Sequence, residues 1–381
     1  MVYTIPMKKI AASVMALCFL GQSLFPQGAS AYRERAAALA ASLDDHTLAA
    51  QVLMTGISGR GALGPDMLPI LEQIPVGAVM LFRYNLDSPP AEVRALLSQT
   101  QALVSRRNGI APFMAVDHEG GLVHRFGPGI ERLPSAYSFW ELAQREGRPR
   151  ALSQAQELYT RSAAEIASLG ITMVLAPVAE ILNEENRVFL QTRSFGPDGG
   201  FVEDLASVYI RAMADQGIAS VVKHFPGHSS EDPHYGVSAL GLEPPALEAL
   251  VRPFRTLVRT MEPASIMVSH VLVPAVDRER IASLSAPVMQ SWLRGDLGFQ
   301  GIIMADDYFM QAVALAGLSP QAAAVEGLNA GVDMIMVWPH NIGTVHRAIL
   351  DALANGSLSR ERLAEAAARI LAEKLRYGLI Y

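Results

Sequence analysis

The residues with the most chemistry in this chain are unevenly placed. The stretch KHFPGHSSEDPHYG, residues 223–236, holds Lys223, His224, His228, Asp232 and His234, and with them three of the nine histidines. Imidazoles beside carboxylates ligate metals, move protons near neutral pH, or simply brace a polar turn. Further on stands the pair Asp306-Asp307. A single ionised carboxylate in a cleft serves as a nucleophile or as an electrostatic stabiliser. Asp117-His118-Glu119-Gly120-Gly121, Glu180 and Ser269-His270 are further polar clusters that close apolar runs. Lys223 directly follows Ser-Val-Val, and a lysine at a buried strand end needs a carboxylate or a polar ligand. Asp117 and Asp306 are the candidate partners. His224, His228, His234, His270 and Asp306 could together build a metal centre, but spacing argues against one. The early runs lack a His-x-His pair and no H-E-x-x-H occurs, so no metal is expected.

These clusters need elements that bring them together. Eight short apolar runs bounded by turn residues read as buried parallel strands: 52–58, 77–82, 113–118, 172–178, 220–225, 265–270, 301–306 and 333–338. Between them lie amphipathic segments rich in Ala, Leu, Arg and Glu, such as AEVRALLSQTQALVSRR and ALSQAQELYTRSAAEIASLG. SLSRERLAEAAARILAEKLRYGL reads as a closing helix with a serine start. Strands alternating with helices predict an α/β chain folded as a single (β/α)8 TIM-type barrel, with a doubly wound sheet as the structural alternative. The polar clusters fall where five of the strands finish. In a barrel those ends share one mouth, which is where such folds carry their sites. Asp306 and Asp307 are adjacent, so along a strand they would point to opposite faces and only one would reach the axis.

The chain has 381 residues, 50% hydrophobic content and a net charge of −6, with charges scattered rather than in blocks. That supports a large core and offers no basic patch for a nucleic acid. Residues 1–31 differ from the rest. Lys8 and Lys9 precede IAASVMALCFL, then Pro26 and GASAY. This is the layout of a secretory signal peptide with cleavage after Ala31, and the apolar run is short for a membrane span. The protein is therefore expected to be exported, periplasmic or secreted, with no stable membrane span in the mature chain. Cys18, the one cysteine, lies in this leader; a lipoprotein anchored there is the alternative. Residues 32–381 form the barrel domain, expected to act as a monomer.

In order along the mature chain come GAVMLF, AVDHEGG-LVHRF, LAPVAEI, QTRSFGPD, VVKHFPGH, DPH, ASLS, LRGDLGFQGIIMADD and AGVDMIM. Together they resemble the bacterial β-N-acetylglucosaminidases of glycoside hydrolase family 3. The resemblance implies a single (β/α)8 barrel and a retaining two-step hydrolysis of terminal GlcNAc from peptidoglycan fragments or chitin-type oligosaccharides. Asp306 falls on the family's nucleophile. Asp232 and His234 fall on an Asp-x-His dyad that supplies the acid and base, a role suited to a group titrating near neutrality. Asp117, Arg193, Lys223 and His224 match residues that hold the sugar's hydroxyls and N-acetyl group. Arg125 and His228 match further motif positions, His228 either touching substrate or bracing the loop. No cofactor is implied. The chain departs from the pattern at Ser229, Pro233, Leu122 and Glu180, and its loop before the dyad is about two residues shorter. Glu231 is the substitute acid if His234 falls short. A β-glucosidase or β-xylosidase of the same family, a glycan-binding barrel without turnover, and a phosphorylase outcome are the other readings.

Overall fold

The computed structural model describes residues 29–380. The leader over 1–28, Cys18 included, lies outside the described residues. Helix Ala29–Ser42 starts within the last residues assigned to that leader. Among the described residues no helix is long and apolar enough to cross a membrane.

Each of the eight apolar runs contains a strand: β1 Leu53–Gly56, β2 Ala78–Leu81, β3 Phe113–Val116, β4 Met173–Val174, β5 Ala219–Phe225, β6 Ser265–Val268, β7 Ile302–Ala305 and β8 Ile335–Val337. They are buried almost throughout, as strands covered on both faces must be. The order is β8-β1-β2-β3-β4-β5-β6-β7, all parallel. A single bridge, Met304 to Met334, joins β7 to β8 and closes the ring. The result is the (β/α)8 barrel, and not the open doubly wound sheet. β4 is shorter than the run 172–178 because Pro177 has no N–H to give the ladder. Pairing resumes beyond it, where Ala179 N donates to Lys223 O at 2.7 Å. A small antiparallel ribbon, Leu272–Val273 with Asp277–Ile281, follows β6 and was not legible in the sequence.

Helices cover the outside. Arg148–Ala167 buries Ala151, Ala155, Tyr159, Ala163 and Ile166, a stripe at helical spacing. Large side chains such as Phe201 and Phe254 are fully buried, each worth roughly 1.5–3 kcal/mol relative to exposure. The last helix, Arg360–Arg376, starts at Ser359, whose side chain accepts from Arg362 N at 3.1 Å. It packs against Ala29–Ser42 and reaches the N-terminal ends of the strands, the barrel's floor. There Lys374, wholly buried, donates to Gln51 Oε1 at 2.8 Å and lies 5.9 Å from the Phe113 ring centre.

That lysine gives a pH signature. Burial pushes its ammonium down to about 7 from the ordinary 10.5. Between those values the unfolded chain holds a proton that the folded chain has lost, so stability rises with pH across that window. Denaturant melts of the wild type should gain on the order of 4 kcal/mol from this group between pH 7 and 10.5. Lys374→Met should lack that gain; parallel slopes in the two proteins would show that Lys374 keeps its proton in the folded barrel.

Candidate active site

The strand C-terminal ends open on one cavity of about 360 Å³. Asp117, Arg125, Arg193, Lys223, His224, His234 and Asp306 all line it, although they are separated by up to 189 positions in the chain (306 minus 117). Asp232 and His228 do not.

Past the end of β3 the side chains keep alternating. Asp117 and Glu119 face the cavity, while His118 turns outward into the core, where its Nε2 meets Ser162 Oγ at 2.7 Å. Burial pushes His118 down to about 3, so it stays neutral. Lys223 Nζ lies 2.9 Å from Asp117 Oδ1 and 2.7 Å from Glu119 Oε1. Of its two expected partners it has therefore taken Asp117, and it adds Glu119, which sequence reasoning passed over. Glu119 is also gripped by Arg193 through two bonds, Nε to Oε2 at 2.8 Å and Nη2 to Oε1 at 2.9 Å. Arg125 reaches Asp117 Oδ2 at 3.3 Å. Burial alone would raise the Glu119 carboxyl; the Lys223 and Arg193 charges overcome it and hold Glu119 well below the usual carboxylate range. Burial likewise opposes the Lys223 charge, but Asp117 and Glu119 keep its ammonium above the ordinary value. This wall is a network of ion pairs, with the Asp117 and Glu119 carboxylates set among Lys223, Arg193 and Arg125. The Asp-x-Glu spacing was the available signal for Glu119, since residues two apart share a face.

β5 presents the next pair. Its register with β6 shifts between Val222 and Phe225, an irregularity that re-aims side chains, and both Lys223 and His224 line the cavity. Behind His224 sits Glu180, fully buried at the end of the fourth run. Glu180 Oε1 lies 2.6 Å from His224 Nδ1 and 3.0 Å from His228 Nδ1. Burial first, with His228 adding to it, pushes His224 down to about 4. A neutral His224 whose Nδ1–H donates to Glu180 leaves Nε2 as an acceptor for a ligand hydroxyl. His228 is buried behind this pair against Phe189, with ring centres 4.3 Å apart. Of the two roles open to it, its contacts are those of a brace: it holds Glu180 and does not line the cavity. The loop that carries Arg193 is tied to the same strand end, where Ser194 Oγ donates to Glu180 O at 2.6 Å.

Glu180, His224 and His228 are also the described group whose donor atoms gather most like metal ligands, within 4.8 Å of one another. It shares His224 and His228 with the metal set considered from spacing, with Glu180 in place of His234, His270 and Asp306. Its 2.6 to 3.1 Å nitrogen–oxygen separations are those of hydrogen bonds.

On the opposite side stand the acids. Asp306 follows β7, and its Oδ1 accepts from Asp307 N at 2.9 Å. Burial pushes Asp306 up, but His270, His224 and that N–H outweigh it and leave the carboxyl below its ordinary value. Asp306 is ionised at neutral pH. Asp307 also lines the cavity, which corrects the expectation that only one of the pair would face inward. The ladder ends at Ala305, and strand alternation does not bind residues beyond it. Asp307 Oδ1 accepts from Phe309 N and Oδ2 from Trp338 Nε1, both at 2.9 Å. Burial, with the neighbouring Asp306 charge behind it, raises the Asp307 carboxyl. His270, buried under the pair, donates from Nε2 to Asp307 O at 3.0 Å and takes Ser283 Oγ at Nδ1, 2.7 Å.

The loop beyond β5 reaches over this cavity. Asp232 Oδ1 accepts from His234 N at 2.9 Å and lies 2.7 Å from His234 Nδ1. The carboxylate fixes the ring, with Nε2 as the free nitrogen. Ala312 N donates to Pro233 O at 3.2 Å, which ties the loop to the segment after Asp306. The short spacer therefore still delivers His234 to the cavity that holds Asp306. Glu231 does not line the cavity; its carboxyl folds back over Gly236, where a Cβ would come within 2.5 Å of it.

Residues 54–372 match the glycosyl hydrolase family 3 N-terminal domain. A β-hexosaminidase of Tolumonas auensis is 35% identical over 311 residues, 81% of this chain and 88% of the relative. One of Idiomarina loihiensis is 33% identical over 309 residues, 79% of this chain and 87% of the relative. Among solved structures, a glycoside hydrolase family 3 β-N-acetylglucosaminidase from Paenibacillus sp. str. FPU-7 superposes with a TM-score of 0.81 at 29% identity. That match covers 89% of this chain but 63% of the other, so this chain spans less than two thirds of that protein. On the family match and these relatives, which agree with the barrel and the residues gathered at its mouth, the chain belongs to glycosyl hydrolase family 3.

Proposed function

We propose that this protein is a retaining β-N-acetylhexosaminidase that removes terminal GlcNAc from peptidoglycan fragments or chitin-type oligosaccharides. The observation that carries the reading is the convergence on one cavity of an ionised Asp306, the Asp232-held His234, and a wall of ion pairs opposite. Relatives named β-hexosaminidase over most of their length support the choice of sugar. In the first step an Asp306 oxygen forms a bond to the anomeric carbon as the glycosidic bond breaks. His234 gives its proton to the departing oxygen, and Asp232 stabilises the imidazolium in the instant before transfer. In the second step His234 takes a proton from water. The water oxygen bonds to the anomeric carbon and Asp306 leaves, so the starting configuration is restored. A neutral imidazole places no second negative charge beside the nucleophile, as a second carboxylate would. Asp117, Lys223 and His224 offer acceptors and donors to the ring hydroxyls, and Arg193 offers donors to the N-acetyl carbonyl.

A fluorinated GlcNAc analogue that forms the covalent intermediate but hydrolyses slowly tests family, sugar and nucleophile together. Intact-protein mass should rise by one sugar, and peptide mapping should place the label on Asp306. A label on Asp307, or labelling by the corresponding glucose analogue alone, would overturn the assignment.

A further inference from the structure

The two carboxylates of the ionic wall stand beyond the sheet that should fix them. β3 ends at Val116, whose O accepts from Leu175 N at 2.9 Å. Asp117, His118 and Glu119 follow outside the ladder, yet both acids must aim accurately. Glu119 takes two bonds from Arg193 and lies 2.7 Å from Lys223 Nζ, while Asp117 lies 2.9 Å from the same ammonium.

Two outer helices take over where the ladder stops. Tyr209, on helix Gly199–Ala214, donates from its OH to His118 O at 2.6 Å. Ser162, on helix Arg148–Ala167, meets the His118 ring at Nε2, 2.7 Å away. The His118 carbonyl belongs to the peptide leading into Glu119, so the hydroxyl fixes that peptide while Ser162 fixes the side chain. Tyr209 is 1% exposed, and its ring is braced in turn. Tyr159 meets it edge-on with centres 4.9 Å apart, and Phe139 lies 5.6 Å from Tyr159. Burial, with Tyr159, Glu119 and Asp117 adding to it, pushes the Tyr209 phenol well above its ordinary value, so the group keeps its proton and donates. A phenylalanine would fill the same space in this stack. What the hydroxyl adds is the bond to His118 O.

We propose that Tyr209 is a positioning residue for the sugar-binding wall: through His118 O it sets the aim of Asp117 and Glu119, and with them the places of Lys223 and Arg193. The two acids share one short segment, so a turn of that peptide would draw both off their partners together. Misplacement of a binding group by a fraction of an ångström is enough to weaken a site built on charged hydrogen bonds. The inference rests on the glycosidase reading and adds to it a residue that never touches the sugar.

Tyr209→Phe should raise KM for nitrophenyl GlcNAc about tenfold and leave kcat within about twofold, because the wall grips the sugar and does not react with it. Tyr159→Phe strips a hydroxyl from the adjacent ring but leaves the bond to His118 O, so its KM should stay within about twofold of the wild type. An unchanged kcat/KM in Tyr209→Phe, or equal losses in the two variants, would overturn the proposal. A wild type that cleaves no β-GlcNAc substrate would sink the hexosaminidase reading alone. The tie is then decided at Lys223, whose carboxylate partners keep its amine protonated and slow to acylate. Brief treatment with acetic anhydride, mapped by peptide mass, should label Lys223 about threefold faster in Tyr209→Phe than in the wild type, each measured against buried Lys374. Equal rates in the two proteins would overturn the positioning role.

Discussion

Asp306→Asn is expected to lower turnover by at least about 10⁴-fold while leaving the fold and sugar binding in place. The size follows from the role: the carboxylate forms the covalent bond of the first step and departs in the second, and an amide cannot replace it. The sparing of the fold follows from the contacts. Asp306 holds one backbone N–H, that of Asp307, through Oδ1, and an asparagine oxygen can accept the same bond. Burial opposes ionisation, but the surrounding imidazoles and the Asp307 N–H keep Asp306 below its ordinary value, so no protonation step limits it at neutral pH. Asp307→Asn is the informative control, because Asp307 spends its oxygens on Phe309 N and Trp338 Nε1. Steady-state kinetics on nitrophenyl GlcNAc, with a melting curve for each variant, checks both. If Asp307→Asn is the more damaging of the two, the nucleophile has been misassigned.

Asp333→Ala should produce the largest loss of stability among single changes away from the cavity, about 4 kcal/mol. Asp333 is fully buried just before β8 and meets three guanidinium groups. Arg294 bonds its Oδ2, and Arg362 and Arg369 reach Oδ1 at 2.9 and 3.2 Å. Oδ2 also accepts from Ile303 N at 2.9 Å, which pins the start of β7 to the start of β8. Only the bridge between Met304 and Met334 joins these two strands as a ladder, so the carboxylate closes the ring from below. Burial pushes Arg294 down to about 10, and Asp333 is the main group opposing that. Without the acid, three cations face one another in a low-dielectric site, where they are poorly screened by salt. Guanidinium denaturation should show the loss, and little of it should be recovered by adding salt. A change under about 1 kcal/mol would mean the arginines find other partners.

The barrel was legible because its strands are buried on both faces. Runs such as SIMV and IIMA have no other comfortable place in a folded chain. The ribbon Leu272–Ile281 was not, because DRERI is polar and largely exposed and carries no apolar period. In the site, the residue types at the strand ends were readable, but not their pairing. Lys223 is equally compatible on paper with Asp117 and Asp306, and geometry alone chose Asp117 and Glu119. Glu180 looked like a departure at a single position. Its work is to hold two imidazoles that lie 44 and 48 residues further on, a relation that no local pattern carries. The inward turn of Asp307 was missed for a narrower reason: a rule of strands was extended one residue past the strand.

Helix Ala29–Ser42 lies against the final helix, whose end packs at the floor beside Gln51 and Phe113. Whatever is joined ahead of Ala29, an affinity tag or an attachment to a bead, therefore departs from the side of the barrel away from the mouth. Immobilised by that end, the protein would present its cavity outward, open to polymers too large to diffuse around it.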